Sequence, residues 1–259
     1  MLYMHEGNLI TKIRNNYGGY GEEIRAFYND EYLPMRERVL ALEFDDEHLE
    51  SFDRAAELFN SYYEQLKRCR DRLDIDEHSK FSSSFLEEIS CYLFKDLPDI
   101  RNEIFGIYNK KVYAGLKINN DRNVSIITKD VDFCIGKKVQ LVIDDLAATE
   151  LIIPIVAVEV KTYLDATMFG EAKSSSKMIR SASPNSKTYI LMGYKDLRND
   201  HIIAARQDST FTELFVLRQN KRAPMDATVI KSYWEEISKA VNNVAELDVI
   251  TVPGRLLNP

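Results

Sequence analysis

The chain has 259 residues, of which 45% are hydrophobic and 29% are charged, and its formal net charge is -7. Such a composition is that of an ordinary soluble globular protein with one sizeable core. The sequence contains no run of about 20 apolar residues, so we expect neither a membrane span nor a membrane partner. The negative net charge argues against a nucleic-acid binder that is basic over its whole surface, although it leaves room for local positive charge.

The start of the sequence and its cysteines favour a cytoplasmic protein. Residues 1–14 lack the basic segment followed by an apolar one that a secretory signal has. The cysteines are Cys69, Cys91 and Cys134, an odd number at wide spacing, which disfavours both a disulfide framework and a zinc site. We therefore expect buried, reduced thiols.

The first half of the chain has helical periodicity. Apolar residues recur at helical spacing in Asp46–Asp74, which contains no Pro or Gly, and again in Ser79–Phe94, after which Pro98 follows. Residues 1–40 are mixed and predict one or two short helices. The pattern predicts a helical N-terminal lobe over residues 1–75.

The second half of the chain begins with segments typical of strands. Residues 123–128, 131–135 and 137–143 each predict a short strand, and Asp144–Asp145 predicts a turn. Residues 151–161 form a nearly continuous apolar run rich in β-branched side chains. Such a run is typical of a strand that is buried on both faces.

The remaining segments alternate between helix and strand. In chain order they are a helix at about 166–182, a strand at 187–194, a weaker strand at 211–217 and an amphipathic helix at 226–247. The whole order predicts an α/β fold in which helices flank a mixed central β-sheet. Residues 76–259 would form this core, to which the helical N-terminal lobe is attached.

Three charged residues near the ends of two predicted strands carry the most chemical information. Glu159 and Lys161 are two residues apart at the end of the apolar run, so they emerge on the same side of the strand. Asp132 lies on a predicted neighbouring strand, which would bring its carboxylate near Glu159. Two close carboxylates repel each other unless a cation lies between them, and Mg²⁺ prefers such oxygen ligands. The set predicts metal-assisted phosphodiester hydrolysis, in which the lysine polarises the attacking water or stabilises charge on the phosphate.

Two plainer interpretations stand beside this one. A Glu-x-Lys tripeptide is common on amphipathic strands, where the two side chains pair or face solvent. Asp130 also competes with Asp132, although it would point to the opposite face of the strand. We favour Asp132 because Phe133 and Ile135 then share one face of the strand, while Asp132 lies on the other.

Asp132 followed by Glu159-Val160-Lys161 resembles the signature of the PD-(D/E)XK nuclease superfamily. One departure is Val131, since proline is frequent before the aspartate in that superfamily. Residues 79–195 as a whole look like type II restriction endonucleases of the BbvCI kind, which cut sites related to CCTNAGC. The resemblance implies a restriction-endonuclease-like fold, Mg²⁺ as cofactor and double-stranded DNA as substrate. It also implies cleavage by two subunits, in a homodimer or in a heterodimer with a related subunit.

A helical acid is the third predicted metal ligand, besides Asp132 and Glu159. In many nucleases of the superfamily, an acidic residue on a helix upstream of the motif helps to bind a metal. Glu87 or Glu88 would supply it here, and we favour Glu87 because it lies off the helix's apolar stripe. The alternative is that both belong to a solvated helix face.

A basic helix face follows the predicted catalytic strand. Lys173, Lys177 and Arg180 are spaced so that they share one face of the helix. We expect them to contact the phosphate backbone of DNA. A solvated basic face with no ligand is the alternative.

A second basic cluster lies near the end of the weaker strand. Its candidate DNA-binding residues are Arg218, Asn220, Lys221 and Arg222. Arginine and asparagine are suited to reading the edges of guanine and adenine. An ordinary polar loop has the same composition, so this alternative stays open.

The leading hypothesis is a Mg²⁺-dependent type II restriction endonuclease. A PD-(D/E)XK nuclease with another task, such as DNA repair or RNA-cleaving defence, uses the same residues. A non-catalytic DNA-binding subunit would be free to lose one of the three charged residues, and all three are present. A purely helical interaction protein would leave the strand with Glu159 and Lys161 unexplained.

Overall fold

The computed structural model describes residues 3–76, 79–142 and 148–244. Its first part is helical. The helices there are α1 (Met4–Arg14), a 3-10 turn (Tyr17–Gly19), α2 (Gly21–Phe27), a π-helical turn (Tyr28–Tyr32), α3 (Leu33–Leu40), α4 (Glu50–Arg72), α5 (Ser83–Phe94) and α6 (Pro98–Arg101). The helical character predicted for residues 1–75 is therefore confirmed over the described part of that range.

A mixed sheet of five strands forms the centre of the described part of the chain. Its strands are β1 (Gly106–Ile118), β2 (Val124–Leu141), β3 (Thr149–Leu164), β4 (Lys187–Lys195) and β5 (Glu213–Val216), in this spatial order. β1, β2 and β3 pair antiparallel, whereas β3, β4 and β5 pair parallel. The later helices are α7 (Ala166–Ala182), α8 (Asn199–Gln207) and α9 (Ala227–Asn242).

Helices cover both faces of this sheet, as predicted. The main apolar cluster joins the N-terminal helices, α5 and α9 to one sheet face, which contributes Phe133, Val158 and Leu191. On the other face, α7 packs through Ala172 and Ile179 against smaller apolar clusters. Because both faces of β3 are covered, its sequence is nearly continuously apolar rather than alternating. The main cluster contains residues of both the predicted N-terminal lobe and the predicted core.

Side-chain caps fix where two of the late helices begin. Asp165 accepts a hydrogen bond from the backbone N–H of Met168 at the start of α7, and Asp226 accepts one from Thr228 at the start of α9. Each carboxylate satisfies a backbone donor that the helix leaves unpaired. The cap at Asp165 begins α7 directly after β3, so this helix returns over the sheet face that carries Glu159.

Some predicted elements were wrong in extent. The three short strands predicted between residues 123 and 143 are one strand, β2, up to Leu141. The burial pattern of β2 changes along its length, which is why the sequence suggested separate strands. Neither β1 nor α8 was predicted. The turn predicted at Asp144–Asp145 lies outside the described residues.

Two predictions from composition have a structural counterpart. Cys69, Cys91 and Cys134 are buried free thiols, as expected. Within the described ranges, no helix combines the length and the apolar character needed to cross a bilayer.

Candidate active site

The candidate site lies where strands β2 and β3 separate. Their antiparallel pairing reaches Phe133 opposite Val158. Beyond this pair, β2 continues beside β1 and β3 continues beside β4. Asp132 and Glu159 are the first residues past the last pair on their strands, so the sheet itself opens a cleft between two acidic side chains.

Direct contacts bring the three predicted catalytic residues together. Lys161 Nζ donates to Asp132 Oδ2 at 3.1 Å and to Glu159 Oε2 at 3.0 Å. Asp132 Oδ2 also accepts the backbone N–H of Val160 at 2.8 Å, which fixes the carboxylate across the gap between the strands. The side chains of Asp132, Glu159 and Lys161 are 20%, 17% and 26% exposed, so the cluster is half-buried but open to a ligand from one side.

The electrostatics of the cluster favour a cation. Burial raises the pKa of Glu159, Lys161 lowers it and the neighbouring Asp132 raises it further. Burial alone would lower the pKa of Lys161, but the carboxylates of Asp132 and Glu159 outweigh it, so that pKa is raised. The carboxylates of Asp132 and Glu159 thus stabilise a positive charge between them, which is what a metal-binding pair requires.

Glu87 on α5 borders this cluster and does not belong to a solvated helix face. The residue is only 8% exposed. Burial raises the pKa of its carboxyl group, and the charge of Asp132 raises it further, while Lys80 and Lys161 lower it. Lys80 Nζ lies 3.4 Å from Glu87 Oε1. Glu87 therefore belongs to the electrostatic surroundings of Asp132.

Glu88 has a different and structural position. Its Oε2 accepts the backbone N–H groups of His5 at 2.8 Å and Glu6 at 3.0 Å, at the start of α1. Its Oε1 accepts the hydroxyls of Tyr32 at 2.8 Å and Tyr92 at 2.6 Å. The residue is fully buried. Glu88 thus caps helix α1, which leaves Glu87 as the acid on α5 that borders the cluster.

Asp130, the rival of Asp132, lies away from the cluster. It is exposed and stands opposite Lys111 in the ladder between β1 and β2. The geometry therefore favours Asp132, which contacts both Val160 and Lys161.

The donor chemistry of the cluster fits a magnesium ion. Asp132 and Glu159 offer carboxylate oxygens at an open cleft and are already arranged around the ammonium group of Lys161. The charge of Asp132 acts on Glu87, but the carboxylate oxygens of Asp132, Glu159 and Glu87 do not all lie within 4.8 Å of one another. In the described part of the chain, the group of acidic and histidine ligands whose atoms all lie within 4.8 Å of one another is Glu43, Asp45 and His48, in the segment between α3 and α4.

Lys173, Lys177 and Arg180 lie on one face of α7, as predicted, but these side chains contact the neighbouring segment of residues 208–210. Lys173 forms an ion pair with Asp208, and Lys177 Nζ lies 4.0 Å from Asp208 Oδ2. The guanidinium of Arg180 donates to the backbone carbonyls of Ser209 and Thr210. These contacts partly neutralise the face, while Lys177 remains 59% exposed. A DNA contact through α7 stays a prediction.

The residues of the second basic cluster have different environments. Arg218 is only 4% exposed, so it is not free to read a base edge as predicted from sequence alone. Asn220, Lys221 and Arg222 are exposed in the turn that follows. The side chain of Asn220 is used within this turn, since its Oδ1 accepts the backbone N–H groups of Arg222 and Ala223.

Two tyrosines beside the cluster were missed by the sequence analysis. Tyr163 and Tyr194 are paired in the ladder between β3 and β4, and their rings stack with centroids 5.9 Å apart. Tyr163 follows Lys161 by two residues, so the two-residue period of a strand places both on one side. That period was the signal from which Tyr163 was predictable, whereas Tyr194 needed the strand register.

Comparisons with known proteins found a matching family model and a solved structure of similar fold. A family model described as Bpu10I restriction endonuclease matches residues 78–244, which is more than half of the chain. A solved structure described as "native BbvCI A2B2 tetramer at low resolution" has a chain that is 15% identical. It aligns with a TM-score of 0.75 over 97% of this chain and 100% of that one, which shows that the fold is shared. The search of curated proteins found no match.

Proposed function

We propose, from the premise that this chain belongs to the Bpu10I restriction endonuclease family, that Asp132, Glu159 and Lys161 form its Mg²⁺-dependent catalytic centre. Membership makes the chain a type II restriction endonuclease, which cleaves DNA at a specific site. The single observation that supports the assignment is the convergence of both carboxylates on Lys161 at the opening between β2 and β3.

Each residue has a role that follows from its contacts. Asp132 and Glu159 would bind the ion, and the carboxylate of Glu87 would add negative charge at the edge of the site. When bound, Mg²⁺ supplies a Lewis acid that stabilises negative charge on the phosphate and lowers the pKa of a bound water. Lys161, half-buried between the carboxylates, orients the attacking water or stabilises the phosphate oxygen on which charge develops. The backbone N–H of Val160 keeps Asp132 in place throughout.

The DNA would approach along the edge of the sheet at which Lys161 lies. Exposed Lys221 and Arg222 follow β5 at the carboxyl end of the parallel strands, which is also the end at which β3 carries Lys161. We assign them to phosphate contacts, with Lys177 as a further contact from α7. Asn220 contributes by shaping the turn, and its amide nitrogen remains available to a base or a phosphate.

Cleavage of both DNA strands in one binding event needs an active site at each strand. We propose that the chain works as a homodimer or as a heterodimer with a related subunit, in the cytoplasm where the DNA is. The protein with the similar fold is described as an A2B2 tetramer, which supports assembly from more than one subunit.

Phage DNA provides the test of this function. Purified protein is incubated with it in the presence of Mg²⁺ or of EDTA, beside an Asp132→Asn variant. Discrete bands that appear only with Mg²⁺ and only with the unaltered protein are expected. A smear would indicate a non-specific nuclease, and discrete bands from the variant would remove Asp132 from the centre.

A further inference from the structure

Arg218 is a buried cation at the edge of the sheet that the proposed mechanism does not use. It follows β5 by two residues and is only 4% exposed. Its guanidinium lies 4.9 Å from the ring centroid of Tyr63, on α4, and 5.7 Å from that of Tyr194, near the end of β4. The charge is therefore held between aromatic rings from two separate parts of the chain.

The guanidinium has no carboxylate partner among the residues that the structure describes, which is unusual for a buried charge. Its Nε is buried without a hydrogen-bond acceptor. Withdrawal of a charge from water is costly, and contacts with aromatic faces offset only part of that cost. A side chain kept under such conditions has a task beyond filling space.

Gly193 provides the room that this arrangement requires. A Cβ atom at position 193 would lie 2.8 Å from Nη2 of Arg218 and 2.3 Å from the carbonyl oxygen of Thr162. Both approaches are closer than carbon atoms tolerate. The glycine therefore lets the guanidinium pass directly over β4, next to the strand that carries Lys161.

Contacts of Arg218 also fix the turn that follows it. Its Nη1 donates to the carbonyl oxygen of Lys221 at 3.3 Å, and its backbone N–H donates to the carbonyl oxygen of Gly193 at 2.9 Å. Met192, next to Gly193, stands opposite Lys161 in the ladder between β3 and β4. Arg218 thus connects the exposed turn to the sheet edge of the candidate active site.

We infer that Arg218 is a positioning residue: clamped between Tyr63 and Tyr194, it holds the turn with Lys221 and Arg222 in place for phosphate contact without touching DNA itself. The inference rests on the proposed function, since that function makes the turn a DNA contact. It replaces the expectation that Arg218 reads a base, because a guanidinium buried between two rings has no face left for one.

Hydrogen exchange of the full-length protein tests the clamp without DNA. Arg218→Met removes the cation and leaves an apolar side chain of similar length, so we expect the fold to persist. Tyr194→Leu removes one ring and keeps the arginine. In both variants, we expect the amides of residues 219–223 to exchange roughly tenfold faster, while exchange in α5 and β3 stays unchanged. Arg222→Ala, an exposed change in the same turn, is the matched control and should not accelerate its neighbours.

Binding to a short DNA duplex of arbitrary sequence, in Ca²⁺ over a KCl series, tests the consequence. Arg222→Ala should lower the slope of log K against log salt by about 1, as loss of one phosphate contact does. Arg218→Met and Tyr194→Leu should weaken binding by roughly 5- to 10-fold at one salt concentration, because the loosened turn must then become ordered on the DNA. Each should leave the slope within about 0.3 of the unaltered protein, since Lys221 and Arg222 still make their phosphate contacts in the complex.

The outcomes separate this inference from the proposed function. A slope reduced by about 1 in Arg218→Met but not in Tyr194→Leu, which keeps the arginine, would mean that the arginine itself contacts a phosphate, which overturns the positioning role. Unchanged exchange in the turn, or faster exchange throughout the chain, overturns it as well. If the unaltered protein binds no DNA, the proposed function fails, and the exchange experiment still decides whether Arg218 holds the turn.

Discussion

Glu87 and Glu88 are adjacent on α5, yet their carboxylates act on different parts of the molecule. Glu88 accepts hydrogen bonds from the first turn of α1 and from two buried tyrosines. Glu87 lies within the electrostatic reach of Asp132 and Lys161. Consecutive residues of a helix point about 100° apart, so one helix both anchors the N-terminal lobe and borders the candidate active site.

The matched variants Glu88→Gln and Glu87→Gln should separate these two roles. In Glu88→Gln, an amide NH₂ replaces one of the two oxygens that together accept four hydrogen bonds, so two of these bonds are lost or must reverse their direction, which should lower the free energy of unfolding by about 1–3 kcal/mol. Glu87→Gln should change that free energy by less than about 1 kcal/mol but slow Mg²⁺-dependent cleavage at least tenfold or so, since it removes a negative charge beside the metal site. Urea denaturation and plasmid cleavage measure the two effects. Equal loss of stability in both variants would contradict the division.

Asp132 and Asp130 provide a second matched pair, on one strand. Asp132→Asn should reduce cleavage by roughly a thousandfold, because the amide can still accept the N–H of Val160 but no longer carries the charge that faces Lys161. Asp130→Asn, exposed and opposite Lys111, should leave the rate within about twofold. Nicking of supercoiled plasmid in Mg²⁺ measures both rates. A large loss in Asp130→Asn and none in Asp132→Asn would reverse the assignment.

His5 should make the stability of the protein dependent on pH. It is fully buried, with its ring nitrogens 2.9 Å from Ser84 Oγ and 2.6 Å from Tyr62 Oη, and burial lowers its pKa from 6.5 to about 3. Below pH 6.5 the unfolded chain binds a proton that the folded chain does not, so the free energy of unfolding decreases as the pH is lowered. The contribution is about 1.4 kcal/mol per pH unit from about pH 6.5 towards about pH 3.

A His5→Gln variant isolates this effect. The raised pKa of Glu88, which burial causes, acts in the opposite sense but is present in both proteins, as are the exposed carboxylates. We therefore expect the difference in unfolding free energy between the unaltered protein and the variant to shrink between pH 7 and pH 5, as urea titrations at several pH values would show. A constant difference would mean that His5 titrates in the folded protein as it does in the unfolded chain.

Gly193 and Gly170 test the close approach at the sheet edge. Gly193→Ala would place a Cβ 2.3 Å from a backbone oxygen, so we expect a loss of about 1–3 kcal/mol of stability and weaker DNA binding. Gly170, within α7, has nothing within 4 Å of its added Cβ. Gly170→Ala should stabilise the protein by about 0.5–1 kcal/mol, since alanine favours a helix. Thermal unfolding measures both changes in stability. An unchanged stability in Gly193→Ala would mean that Gly193 and the carbonyl oxygen of Thr162 do not approach as closely as described.

Lys177 tests whether the basic face of α7 takes part in DNA binding. We expect Lys177→Ala to lower the salt slope of binding by about 1, because this lysine is the most exposed cation of the face and lies at the limit of an ion pair with Asp208. Lys173, which is closer to Asp208, should contribute less. An unchanged slope in Lys177→Ala would mean that the face serves to hold the segment of residues 208–210.

The proposed catalytic motif could be found from the sequence because its signal is local. Glu159 and Lys161 share a strand, so their two-residue spacing sets them on one side whatever the rest of the fold does. The helices α4, α5, α7 and α9 were predictable for the same reason, since a helix repeats its buried face within a few residues. By contrast, β1 lacks a clear period and is recognisable only from its pairing with β2.

Sequence by itself therefore determined which residues we propose for the chemistry, because strand and helix periods fix the direction of a side chain over short distances. Only the tertiary structure decided the roles of residues whose partners are far away in the chain. The sequence favoured Glu87 but left Glu88 open as an alternative, and only the structure shows that Glu88 binds the first turn of α1, 82 and 83 residues away in sequence. Arg218 looked like a base-reading side chain until Tyr63 and Tyr194 were found around it. Burial and hydrogen bonding of this kind arise from packing between distant segments, which no local period contains.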